Sequence, residues 1–183
     1  MATPLPAGLT AGTYVIDASH STAGFTVRHA GISKVRGSIA ISSGTITVGE
    51  DLESSSVSVE LDAASVNTGD ANRDGHLKSA DFWNAEERPT WSFTSTSVKG
   101  DGDDFVVTGD LTINGVTKTV ELETEFSGTA KDPFGNDRAG FEAQLEISRA
   151  DFGLTWNAAL ETGGFLVGDK VKIGLDISAI KQA

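Results

Sequence analysis

The chain has 183 residues, a net charge of −12, 21 glycines and no cysteine. That length suits one all-β domain with a sizeable core, and the fold owes nothing to disulfides. The acidic balance argues against a nucleic-acid partner, which needs clustered Lys and Arg, and against adsorption to anionic membranes.

No apolar run is long enough to span a bilayer as a helix. The first residues lack the basic and apolar regions of a secretory leader, so the sequence as it stands predicts a cytoplasmic protein. Residues 1–12 read as a flexible N-terminal tail and 13–183 as a single domain.

Thr13 to Asp17 forms a short strand. In the next strand, Thr22 to His29, the residues Ala23, Phe25, Val27 and His29 share one face. Val35, Gly37, Ile39 and Ile41 share a face in the third strand. At Ser42-Ser43-Gly44 the phase shifts, which marks either a bulge in one long strand or a tight turn between two. Val57, Val59 and Leu61 point inward from a further strand.

Residues 63–89 lose the period of two. Arg73 to Trp83 reads as a short helix capped by Asp70 or Asn72. From Thr90 a strand resumes, with Trp91 and Phe93 on one face.

The clearest signal is Asp104 to Ser127, two alternating runs about Asn114-Gly115. Phe105, Val107, Leu111 and Ile113 on one arm, and Val116, Val120, Leu122 and Phe126 on the other, form an apolar face. Thr and Glu form the opposite one. Asn-Gly tolerates the positive φ angles of a type I′ turn, so this is a long hairpin with one buried face. After the turn-rich loop 130–137, Phe141, Ala143, Leu145 and Ile147 point inward. Residues 151–164 are irregular. Val171, Ile173, Leu175 and Ile177 close the pattern.

Long one-sided strands with short turns predict an all-β, antiparallel up-and-down barrel of about eight strands with one or two short helices. A barrel of that size is filled by side chains or holds one small ligand. Small inward residues such as Ala23, Gly37, Gly109 and Ala143 hint at room inside.

Several polar residues bear on chemistry. Arg149 continues the face of Phe141, Leu145 and Ile147. Buried there, it must be paired: with a carboxylate such as Asp151 or Asp17, or with a ligand's phosphate or carbonyl head group. His29 continues the face of Phe25 and Val27, as a ligand contact or a satisfied core histidine. Asp70, Asn72, Asp74, Gly75 and Asp81 fit the spacing of an EF-hand loop, but the last ligand is Asp and no helix pair flanks it. His20, His29 and His76 match no compact zinc spacing. No metal or cofactor is expected.

Taken together, several segments resemble the YceI family. They are Tyr14-Val15-Ile16-Asp17 with His20-Ser21, Phe25, Val27 and His29, then Arg73-Asp74-Gly75-His76-Leu77 with Asp81-Phe82 and Pro89. Gly109 to Lys118, Asp132-Pro133-Phe134-Gly135 and Ile147 to Gly153 follow in the same order. The resemblance implies a lipocalin-like barrel with an extended apolar cavity that binds a polyisoprenoid, an isoprenoid quinone or a fatty amide or acid. It also implies a homodimer, and relatives that are often exported. On this basis the expected lipid contacts are Phe25, Val27, His29, Phe93, Leu111, Phe126, Phe141, Leu145, Arg149 and Trp156, with no catalytic residue. The rival expectations are an interaction module with a filled barrel and a small-molecule enzyme using His29 or His76.

Overall fold

The computed structural model describes residues 2–161 and 163–183. Nine strands run in chain order: β1 (Gly12–Ile16), β2 (Thr22–His29), β3 (Ser33–Val48), β4 (Ser56–Asn67), β5 (Thr90–Asp101), β6 (Asp104–Ile113), β7 (Val116–Lys131), β8 (Asp137–Ser148) and β9 (Val167–Lys181). One helix, α1 (Ala71–Lys78), lies between β4 and β5.

Every neighbouring pair is antiparallel, and β3 pairing with β4 closes the sheet on itself. β1 and β2 lie end to end between β3 and β9, each pairing with both. Asp17 makes the break between them: its carboxylate accepts the Ser19 amide and caps a 3-10 turn at Ala18–His20. The nine strands therefore make an eight-stave closed barrel. Closure matters because it leaves no sheet edge.

Local chemistry explains the elements. Asn114 and Gly115 have φ of 53° and 73°, as a type I′ hairpin requires. The Ser42-Ser43-Gly44 step is a bulge inside β3, since the β3–β4 register shifts between Ile41 and Ser43 and the strand continues. That extra residue brings Ile46 and Val48 back to the inner face with Ile41. Helix α1 is shorter than the sequence pattern implied. The Asp70 carboxylate caps its start by accepting the Asn72 and Arg73 amides. Its end comes at Ser79, and turns fill the residues up to Pro89.

The two barrel ends differ. One carries the β2–β3 and β6–β7 turns, α1 with the turns after it, and the long β8–β9 connection. The other carries the β3–β4, β5–β6 and β7–β8 turns together with the N-terminal stretch. That stretch is not a free tail. Leu9 is buried, Leu5 packs on the core, and the Leu52 amide donates to the Thr3 carbonyl. Two apolar side chains four residues apart give it an anchoring face.

Candidate functional site

The barrel encloses an apolar cavity of about 260 Å³. Inward residues of several strands line it, and many are only half-buried although they point away from bulk water: Val57, Val59 and Leu61 on β4, and Val171, Ile173 and Leu175 on β9. They face an opening where a packed core would present atoms. Leu5, Leu9 and Leu52 line the cavity at the N-terminal end. A second, more open concavity of about 760 Å³ is lined by Glu123, Glu125, Glu142 and Asp176 together with Lys99, Phe105, Ala143 and Leu175.

Two glycines set the shape of the wall. Phe25 on β2 pairs with Gly37 on β3, and a Cβ on Gly37 would lie 2.7 Å from Phe25 Cε1. A Cβ on Gly109 would lie 2.6 Å from Phe93 Cζ. Each ring occupies the space that a side chain on the glycine would need, so both positions must stay bare.

The α1 end is closed by aromatic rings. Phe25 meets Trp83 edge-on at 5.9 Å, and Trp83 meets Trp91 at 4.8 Å. Beside them, His76 packs edge-on to Trp156 at 4.7 Å and to Phe82 at 5.1 Å. His76 Nε2 also lies 2.9 Å from Asp81 Oδ2. Arg73 fixes the helix over the barrel, donating from Nε and Nη2 to the hydroxyl and carbonyl of Thr68 at the end of β4. Asp74 accepts the Thr68 amide. The calcium spacing thus dissolves: Asp70 caps the helix, Asp74 holds Thr68, Asp81 pairs with His76, and no ligand loop forms.

Arg149 follows β8 directly and is buried at 6% exposure. Among the described residues no carboxylate pairs with it, contrary to the expected ion pair with Asp151 or Asp17; Asp17 instead binds Arg138 at 2.9 Å. Its partners are backbone carbonyls. Nε donates to Gly168 at 2.9 Å, Nη1 to Leu154 at 2.6 Å and Trp156 at 2.9 Å, and Nη2 to Val167 at 3.3 Å. Burial pushes its pKa down, and the charge of Asp169 pulls it back up. A guanidinium has five donors, so one Nη2 hydrogen is left over on a group that lines the cavity. Arg149 therefore clamps the β8–β9 connection onto the barrel end.

Of the ten expected contacts, Phe25, Val27, Phe93, Leu111, Phe141, Leu145 and Arg149 line the cavity. His29, Phe126 and Trp156 do not. His29 ends β2 beside the Ala30 turn, where the β2–β9 register slips after Val27. Phe126 is buried behind Phe141 at a ring separation of 5.6 Å. Trp156 belongs to the aromatic closure. Trp91, Trp83, Leu5, Leu9 and Leu52 line the cavity without having been singled out as contacts. The alternation around Phe93 placed Trp91 inward, but the irregular segment holding Trp83 and the leading stretch gave no face to read.

Comparison with known proteins places these features. Residues 14–179 match the YceI-like domain family. Protein YceI of Escherichia coli is 46% identical over 147 residues, covering 79% of this chain and 77% of that one. The crystal structure of the Campylobacter jejuni YceI protein is similar at a TM-score of 0.68 and 30% identity, over 85% of this chain and 90% of that one. A polyisoprenoid binding domain from Saccharophagus degradans has the same fold at a TM-score of 0.69, with 15% identity over 94% of this chain and all of that one (100%).

Proposed function

Because the chain belongs to the YceI family, we propose that it binds a long-chain amphiphile inside the barrel and sequesters or carries it without catalysing a reaction. The candidates are a polyisoprenoid, an isoprenoid quinone, or a fatty amide or acid. The observation that carries this reading is the 260 Å³ apolar cavity, whose inward side chains are left half-buried. The solved domain of the same fold from Saccharophagus degradans is described as polyisoprenoid binding, which agrees with it.

The energetics suffice without chemistry. Each methylene removed from water contributes about 0.8 kcal/mol, so about ten give roughly 8 kcal/mol gross, before ordering costs. An apolar wall with few polar groups rewards chain length over head-group identity. A homodimer and a transport role extend the proposal and rest on the family resemblance. Neither His29 nor His76 lines the cavity, so the acid/base alternative lacks a reactive group beside the ligand space.

The test is mass spectrometry of an organic extract of the purified protein, beside native mass spectrometry of the intact protein. A stoichiometric long-chain species is expected. An empty protein that also refuses added polyprenyl, quinone and fatty-amide probes overturns the reading.

A further inference from the structure

Basic side chains are few, 14 Lys and Arg against 26 Asp and Glu, yet they are not spread evenly. Five stand together on the outer wall of β3, β2 and β9 near the α1 end. Arg28 and Lys34 are direct cross-strand partners. Thr26 pairs with Arg36 on one side and Lys172 on the other. Lys170 shares the outer face of β9 with Lys172. All five are exposed, because they alternate with the inward Val27, Val35 and Val171. None enters an ion pair among the described residues. The adjoining carboxylates are Glu146, in register with Lys172; Glu161; and Asp169, which accepts from the Ser148 hydroxyl and the Ala150 amide.

The patch runs up to two exposed apolar side chains. Ile32, in the β2–β3 turn, is 88% exposed, and Phe165, in the β8–β9 connection, is 66% exposed. Their segments are tied together, since the Ala30 amide donates to the Leu166 carbonyl at 2.6 Å. A lone exposed apolar residue needs no explanation. Two on linked loops beside a run of basic side chains form one amphipathic surface. Behind it Val27, Val167 and Val171 line the cavity, so the surface covers the wall at one end of the lumen.

Further along the barrel the charge reverses. Asp104, Glu125, Glu142 and Asp176 form a row across β6, β7, β8 and β9, each in register with the next. Asp176 stands four residues beyond Lys172 on β9, about 13 Å along the strand. That exceeds the Debye length of about 8 Å at physiological salt, so a partner at the α1 end feels the basic patch first. The net charge of −12 argues against an anionic membrane for the chain as a whole, but it does not describe this wall.

We propose that this surface docks the barrel on an anionic lipid bilayer, tilted onto its β2–β3–β9 wall. The five cations lie at headgroup level, and Ile32 and Phe165 dip into the interface. Projecting apolar tips beside long basic side chains suit a soft layer that both can enter, more than the firm surface of an acidic protein. The inference goes beyond the carrier reading and does not depend on it.

The experiment is co-sedimentation of the full chain with vesicles of equal parts phosphatidylcholine and phosphatidylglycerol, and with vesicles of phosphatidylcholine alone. Wild type is expected to bind the anionic vesicles, to ignore the neutral ones and to dissociate as salt rises. Lys34→Gln with Lys172→Gln is expected to weaken binding on the order of tenfold and to flatten the salt dependence. Ile32→Ser with Phe165→Ser is expected to weaken it on the order of tenfold as well. Lys99→Gln with Phe134→Ser removes a cation and an exposed ring at the opposite end, and is expected to bind as wild type does. All these positions are exposed, and urea midpoints check that each variant is folded. Wild type that ignores the anionic vesicles overturns the proposal, even if it binds an acidic polypeptide such as polyglutamate. Patch variants that bind as wild type, or opposite-end variants that lose as much as they do, overturn it too. Ligand uptake from detergent micelles, with no bilayer present, tests the carrier reading separately and is expected to be unchanged in every variant.

Discussion

The ring of Phe25 on β2 lies over the bare Cα of Gly37 on β3, its direct cross-strand partner, with no room for a methyl group between them. A Cβ there would lie 2.7 Å from Phe25 Cε1 and 2.8 Å from Thr68 Cγ2. Gly37→Ala therefore forces the ring to move, and the nearest free space is the cavity that Phe25 already lines. The expected outcome is a loss of about 1–3 kcal/mol, the usual cost of overpacking, together with weaker uptake of a long-chain ligand. Urea unfolding and a ligand titration check the two effects separately. Unchanged uptake would mean that the ring does not turn inward.

The same pair shows what the sequence carried and what it withheld. Alternation placed Phe25, Val27, Phe93, Leu111, Phe141 and Leu145 on inner faces, because side-chain direction in a strand follows parity alone. Parity says nothing of depth along the barrel axis. Phe126 and Phe141 both point inward, yet only Phe141 reaches the cavity wall. Nor does it foresee a register slip, which is why His29 was grouped with residues it leaves at the strand end. Arg149 was legible as a buried cation that needs partners. Its partners are backbone carbonyls, two in a connection without periodicity and two at the start of β9, and a carbonyl leaves no side-chain pattern to name it. Trp91 was placed on the right face by its alternation with Phe93, and it does line the cavity.

Arg149 invites a direct test. Arg149→Met removes the donor to four carbonyls, those of Leu154 and Trp156 in the β8–β9 connection and of Val167 and Gly168 at the start of β9. The expected destabilisation is roughly 3–5 kcal/mol, because buried acceptors lose partners together. Arg149→Lys restores charge but not reach, since an ammonium cannot span the guanidinium fork. It should fall between wild type and Arg149→Met. Hydrogen exchange over 154–168 should quicken in both. If Arg149→Lys matched wild type, charge alone would explain the residue.

Acid stability follows from a second arginine. Arg138 donates to Asp17 at 2.9 Å and to Asp132 at 2.8 Å, tying the end of β1 to the β7–β8 turn. Hydrogen bonds from Ser19, then Arg138 and His20, hold the Asp17 carboxyl well below the usual carboxylate range. Asp132 is held low chiefly by the Asn136 amide, with Arg138 adding to it. Folded-state pKa values below the unfolded ones mean that the unfolded chain takes up protons first. The stabilisation is thus complete above the unfolded carboxylate pKa of about 4 and fades as pH falls toward the folded values. Wild type should lose stability steadily from about pH 5 downward, and Arg138→Gln should lose less over the same window because it starts with less. Urea midpoints measured across that range decide the matter; parallel curves would remove Arg138 from the account.

A bulky side chain on the cavity wall separates a carrier from a filled barrel. Ala143 on β8 pairs with Leu175 on β9 and Thr124 on β7, and its methyl group lines the cavity between Phe141 and Leu145. In a filled core, Ala143→Trp would overpack and destabilise by about 1–3 kcal/mol or more. In a barrel with about 260 Å³ of apolar space at that position, the indole has somewhere to go. The expected result is a folded protein with near wild-type urea stability whose binding of long-chain probes is abolished, since ring and ligand compete for the same volume. A variant that unfolds would mean that the space does not admit a ring. One that folds and still binds at full affinity would move the ligand out of the barrel altogether.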